Sequence, residues 1–102
     1  MAFTKAHLYN DVDLRSSLLA RALSHPARIG ILRQLSKQGV RTVEELLQMH
    51  PLSQSSISQH LRILRIANLV SYKEVYPYTY YTLNKENTRK LKKHMKICLT
   101  TF

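Results

Sequence analysis

Cysteine is almost missing from this chain of 102 residues. Cys98 stands alone, which excludes an intrachain disulfide and any metal site made of several thiolates from one chain. Acidic residues are also scarce: six Asp and Glu are set against 16 Lys and Arg, for a formal net charge of +10. Those six are scattered, so paired catalytic carboxylates are not available. With two glycines in all there is no glycine-rich phosphate loop, and no activated-nucleophile arrangement is visible. The apolar runs are far too short to cross a bilayer, and no long amphipathic segment carries aromatic anchors for a membrane surface. The amino terminus lacks a signal-peptide pattern. Enzyme and membrane functions are disfavoured, and a cytoplasmic protein without a cofactor is expected.

What is present is a globular composition, 44% hydrophobic and 22% charged. The length suits one domain, residues 1–102, with a core of its own but no separate effector domain. A balance this basic favours a polyanionic partner, most simply nucleic acid.

Asn10 or Asp11 is placed to cap a first helix running to about Leu23, with Val12, Leu18, Leu19, Ala22 and Leu23 on its apolar side. Ser24-His25-Pro26 breaks the chain and restarts it, Pro26 suiting a first helical turn. The second helix runs to about Lys37, buries Ile29, Leu32 and Leu35, and ends near Gly39. Thr42 and Glu45 match a capping box for a short third helix ending near Met49. His50-Pro51 then forms a turn, because the residue before proline avoids the α region.

Residues 52–70, LSQSSISQHLRILRIANLV, are the most informative stretch. Ser53 caps the fourth helix, and Leu52 and Ile57 are spaced as a hydrophobic staple. Ile57, Leu61 and Leu64 recur at i, i+4 and i+7, a single apolar stripe. Ser55, Ser58, Gln59 and Arg62 fall on the far side, and their groups can hydrogen-bond base edges or phosphates. His60 sits about 60° from the stripe, a position for packing or a phosphate bond rather than base reading. The short link between the third and fourth helices is helix-turn-helix spacing. Val70 to Leu83 is rich in Val, Tyr and Thr, and reads as a hairpin of Val70–Val75 and 80–83 with 76–79 at its tip. Packing within the hairpin is the default for its tyrosines. Asn84 caps a last helix to the carboxyl terminus, with Leu91, Met95, Cys98 and Phe102 on one stripe and mainly basic residues opposite. The expected fold is mainly α with a small β-hairpin, in the order α-α-α-α-β-β-α. A single small domain has a core in its first four helices, so the last stripe is expected to serve as an interface.

This order, with SHPARIGILRQL, the 52–70 segment and the hairpin VSYKEVYPYTYYTL, resembles the ArsR/SmtB-like family of winged helix-turn-helix repressors over nearly the whole chain. The resemblance implies a homodimer joined through the first and last helices, Leu18, Leu19, Leu91, Met95, Cys98 and Phe102 being the interface residues. It implies recognition helices in successive major grooves of an inverted-repeat operator, with the hairpins as wings. Carried over by position, the readers are Gln54, Ser55, Ser58, Gln59 and Arg62, and the wing contacts are Lys73, Tyr76 and Tyr78. Where soft-metal sensors of this family carry Cys-x-Cys, this chain has Glu44-Glu-Leu-Leu-Gln-Met49, so no thiolate site is expected there. The last helix offers only His94 and Glu86, eight positions apart, too little for a zinc site. The partners expected are double-stranded DNA and a second copy of the chain, with no membrane; the sequence names no effector. The competing readings are a winged-helix protein-interaction module, and a repressor gated by a metal or by a Cys98 thiol. His7, His25 and His50 lie in three segments and are expected to be unconnected.

Overall fold

Each α-helix among the described residues begins at a side chain that accepts an otherwise orphaned backbone N–H. The computed structural model describes residues 8–102, and His7 lies outside them. In chain order the elements are α1 (Asp11–Ala22), α2 (Pro26–Gln38), β1 (Arg41–Thr42), α3 (Val43–Met49), α4 (Gln54–Ile66), β2 (Val70–Val75), β3 (Tyr78–Leu83) and α5 (Lys85–Leu99). Asn10, not Asp11, caps α1, accepting the Asp13 N–H at 2.8 Å. His25 Nδ1 accepts the Ala27 N–H at 3.0 Å, with Pro26 opening α2 as expected. Thr42 and Glu45 form the full capping box of α3. The Thr42 N–H beside the Glu45 carboxylate, more than any other group, holds its pKa below the ordinary value. Ser53 caps α4 and Asn84 caps α5.

The core is one cluster in which Ile31, Leu46, Ile57, Leu61, Leu64 and Leu69 are completely buried. Helix α2 corrects the sequence expectation. Its buried positions are Arg28, Ile31, Gln34 and Leu35, while Ile29 and Leu32 are only half-buried. Helix α2 is apolar over a wide arc, and the arc turned toward α4 is the one that carries Arg28. Helix α1 lies along α5 within the same chain. Leu19 (4% exposed) and Leu91 (2%) therefore sit in the protomer's own core rather than on an open face. Leu18, Cys98 and Phe102 keep exposed surface, and Met95 packs half-buried at the edge.

The sheet has three strands rather than two, in the order β1-β3-β2 and antiparallel throughout. Arg41 and Thr42 pair with Tyr81 and Tyr80 and so cover what would be an open edge of the hairpin. A strand of two residues has no alternation to read, which is why its sequence shows only the cap that follows. The tip is also shorter than expected. Val75 pairs with Tyr78 and Glu74 with Thr79, so Tyr78 and Thr79 belong to the ladder and Tyr76-Pro77 alone makes the turn, with a cis peptide bond.

Helix α4 ends in a Schellman motif. Asn68 takes the left-handed conformation (φ 57°), its N–H bonds to the Arg65 carbonyl at 2.9 Å, and the Leu69 N–H bonds to the Leu64 carbonyl at 3.0 Å. Leu64 and Leu69, the apolar pair that accompanies this motif, are both fully buried. Asn87 of α5 donates to the Ala67 and Asn68 carbonyls at 3.2 and 2.8 Å. The path from α4 into the hairpin is thus fixed by hydrogen bonds on both sides.

Candidate nucleic-acid interface

Helix α4 separates its two faces cleanly. Ile57, Leu61 and Leu64 are fully buried, and Gln54, Ser55, Ser58, Gln59 and Arg62 are all exposed. These five, chosen from spacing, share the outer side of the helix. Ser55 differs from the rest because its hydroxyl lies 3.2 Å from that of the cap, Ser53, and so is partly engaged. Ser53 also bonds the Ser56 N–H and hydroxyl, at 3.2 and 3.0 Å. The amino end of α4 therefore has its first turn ordered while its outer amide, hydroxyl and guanidinium groups remain available.

The back of α4 is held by a polar anchor that sequence reasoning missed. Arg28, 7% exposed, donates from Nε to the Ala22 carbonyl (3.0 Å) and from Nη2 to the Arg21 carbonyl (3.0 Å) and the Ser24 hydroxyl (2.8 Å). Its Nη1 lies 3.1 Å from His60 Nδ1. A guanidinium has only donors, so His60 accepts through Nδ1 and carries its proton on Nε2 when neutral. The His25 ring packs against His60 with centroids 4.4 Å apart. Burial, then the neighbouring His25 and Arg28, hold the His60 pKa below its usual value. His60 thus belongs to the support of the helix rather than to its exposed outer face. The one signal that would have found Arg28 is its spacing: positions 28, 31 and 35 form a stripe, and a charge on such a stripe needs buried partners.

On the wing, Lys73 is exposed and Tyr76 is 97% exposed at the turn. Tyr78 is half-exposed and meets Tyr80 edge-on at 6.3 Å. Arg65 of α4 stacks its guanidinium 4.5 Å from the Tyr72 ring centroid, a cation–π contact that ties the helix to the wing.

The chain matches the profile described as bacterial regulatory protein, arsR family, over residues 25–72, from the cap of α2 into β2. It is 32% identical over 79 residues to the arsenical resistance operon repressor of Bacillus subtilis, covering 78% of this chain and 75% of that protein. This chain belongs to the ArsR family. It is 43% identical over 53 residues to the HTH-type transcriptional repressor SmtB of Mycobacterium tuberculosis, a match spanning 52% of this chain and 38% of that protein. The solved structure of HlyU from Vibrio cholerae superimposes with a TM-score of 0.71 at 28% identity, covering 87% of this chain and 97% of the other. The protein is therefore a DNA-binding transcriptional regulator with the winged helix-turn-helix fold, and not an enzyme.

Within the ArsR family, the segment Glu44 to Met49 falls on α3 and contains no thiol. On α5, His94 Nδ1 lies 2.8 Å from the Lys90 carbonyl and Nε2 lies 3.9 Å from Asp11, while Glu86 pairs with Lys90 at 3.3 Å. Among the described residues no three His, Cys, Asp or Glu side chains converge to hold a metal ion. His50, the other histidine of interest, bonds Gln34 at 3.0 Å and packs on Gly30, and burial lowers its pKa. Among the described residues no helix is long and apolar enough to cross a membrane.

Proposed function

We propose that this ArsR-family protein is a cytoplasmic, homodimeric repressor that reads an inverted-repeat operator. The observation that supports this best is the outer face of α4, where Gln54, Ser58, Gln59 and Arg62 stand exposed opposite a fully buried stripe. A helix held from behind and polar in front suits a major groove, where amides and guanidinium groups pair with base edges. In this reading Gln54, Ser55, Ser58 and Gln59 face the bases, and Arg62 reaches phosphate or the groove edge. Lys73, Tyr76 and Tyr78 meet the adjoining backbone, and the +10 charge supplies long-range attraction. A second copy docks along the furrow between α1 and α5, where Ala20, Met95, Cys98, Leu99 and Phe102 are flanked by Asp13, Ser16 and Ser17. With Leu19 and Leu91 already buried, this interface is narrower than the one expected from the stripe. Reading two half-sites one turn of duplex apart requires the dimer to set its α4 helices about 34 Å apart.

The competing reading, a protein-interaction module, draws on Ile66, which is 55% exposed at the end of α4. One experiment decides between them. The purified protein is titrated with a duplex from upstream of its own gene and with a random duplex, at about 0.15 M salt. Sequence-specific regulation gives a preference of at least about a thousandfold. Gln59→Ala then costs about 1–3 kcal/mol on the specific duplex and little on random DNA. Lys73→Ala weakens both alike and lowers the salt slope by about 1. Equal, weak binding to both duplexes rejects the proposal.

A further inference from the structure

Ile29 and Leu32 keep apolar surface that the core does not cover, and that surface has a definite surrounding. Together with Leu23, Leu83 and the buried Leu19 and Leu69, they line an open cavity of about 340 Å³ between α1, α2 and α5. Ligand pockets typically span about 300–1,000 Å³ and are lined mainly by apolar groups with a few polar groups at defined positions. This cavity is at the lower end of that range.

Its rim is cationic. Arg33 and Lys37 of α2 and Lys92 of α5 line it and are all exposed, and Ser36 and Thr88 line it too. A second depression shares Ser36, Leu83, Thr88 and Lys92 and adds Lys85 and Arg89. The chain's six acids are Asp11, Asp13, Glu44, Glu45, Glu74 and Glu86, and none lines either cavity. Among the described residues no carboxylate pairs with Arg33, Lys37 or Lys92. An apolar interior beneath a mouth of one sign selects a ligand that is apolar at one end and anionic at the other.

We propose that this cavity is a binding site for a small aliphatic carboxylic acid, its hydrocarbon body against Leu23, Ile29, Leu32 and Leu83 and its carboxylate at Arg33 and Lys92. The volume is sufficient for a chain of roughly eight carbons. The cavity lies behind α2, away from the outer face of α4, so the proposal does not depend on how that face reads DNA.

The test is a calorimetric titration of the full chain, without DNA, using octanoate, octanol and inorganic phosphate in about 0.15 M salt. Amide shifts are mapped in parallel. The expected result is submillimolar octanoate binding, with shifts centred on Leu23, Leu32 and Leu83. Octanol and phosphate should each bind at least about tenfold more weakly. The double variant Arg33→Gln/Lys92→Gln, both exposed positions, should keep the wild-type circular dichroism and lose octanoate affinity by about fivefold or more. Octanol binding as tightly as octanoate overturns the carboxylate assignment, and phosphate binding as tightly overturns the apolar body. Shifts spread over the basic surface rather than the cavity overturn the site itself.

Discussion

Arg28 offers the sharpest test of how α4 is supported. Arg28→Met keeps most of the aliphatic bulk and removes a guanidinium that reaches four acceptors. The Arg21 carbonyl retains the Ser24 N–H and hydroxyl as donors, at 3.2 and 2.8 Å, so its loss is partial. The Ala22 carbonyl, on a residue with no exposed surface, is left with no other donor near the end of α1. Stranding a buried acceptor costs about 1–3 kcal/mol, and the weakened bonds to Ser24 and His60 add roughly 0.5–1.5 kcal/mol each. Removing the desolvation cost of a buried cation returns part of this. The expected net loss is about 2–4 kcal/mol, measured from urea unfolding followed by circular dichroism. For a domain of this size Tm falls about 4–8 °C for each kcal/mol. A second readout separates the bond network from mere packing. Because Arg28 helps to lower the His60 pKa, the variant should raise it toward the usual imidazole value in an NMR titration. A stability change below about 0.5 kcal/mol together with an unchanged His60 titration would refute the anchor.

Two further outcomes are expected. Burial lowers the pKa of both His50 and His60 from the usual value of about 6.5. Well above pH 6.5 both rings are neutral in the folded and unfolded chains, and their protonation costs no stability. As pH falls below that value the unfolded chain takes up protons first, so the urea midpoint should drop until the folded rings protonate too. His60→Asn should flatten this dependence, and an unchanged slope would remove His60 as a cause. At Gly30 an added Cβ would stand 3.0 Å from His50 Cε1. Gly30→Ala should therefore give little of its helix-propensity gain in the wild type, but about 0.5–1 kcal/mol in a His50→Ala background. Equal gains in both backgrounds would show that the contact does not matter.

Much of the fold was legible because its signals are local. The stripe on α4 is a spacing, and the caps at Asn10, Thr42, Ser53 and Asn84 are single side chains of the usual capping types placed just before a helix, so both can be read without knowing any neighbour. His25, an unusual cap, is not among them. The outer face of α4 follows by subtraction from the stripe. What the sequence hid depends on partners distant in the chain. Arg28 and His60 are 32 positions apart, and nothing local to either one names the other. Strand β1 exists because β3 presents an edge to Arg41 and Thr42, not because two residues have a strand pattern of their own. The wing tip is shorter than the sequence implies because proline marks the turn but does not say how far the ladder reaches toward it. On α2 the apolar residues cover too wide an arc for periodicity to choose between Ile29-Leu32 and Ile31-Leu35. The choice is made by what packs against the helix, and the face that lost became the wall of a cavity.

That outcome gives α2 two roles. Apolar burial is non-directional, so the stripe of Ile57, Leu61 and Leu64 could tolerate small rotations of α4 that base reading could not. Directional bonds remove that freedom: Ser53 at the start, His60 to Arg28 in the middle, and the Schellman turn with Asn87 at the end. Of these, only the middle anchor comes from α2, and α2 is also the helix whose Ile29 and Leu32 line the carboxylate cavity. A ligand there can alter DNA binding only to the extent that it binds one placement of α2 better than another. A shift of α2 against α4 strains the bond from Arg28 to His60, and a shift against the end of α1 strains the other three. The resistance of that anchor therefore sets the smallest difference in ligand affinity that could move the recognition helix.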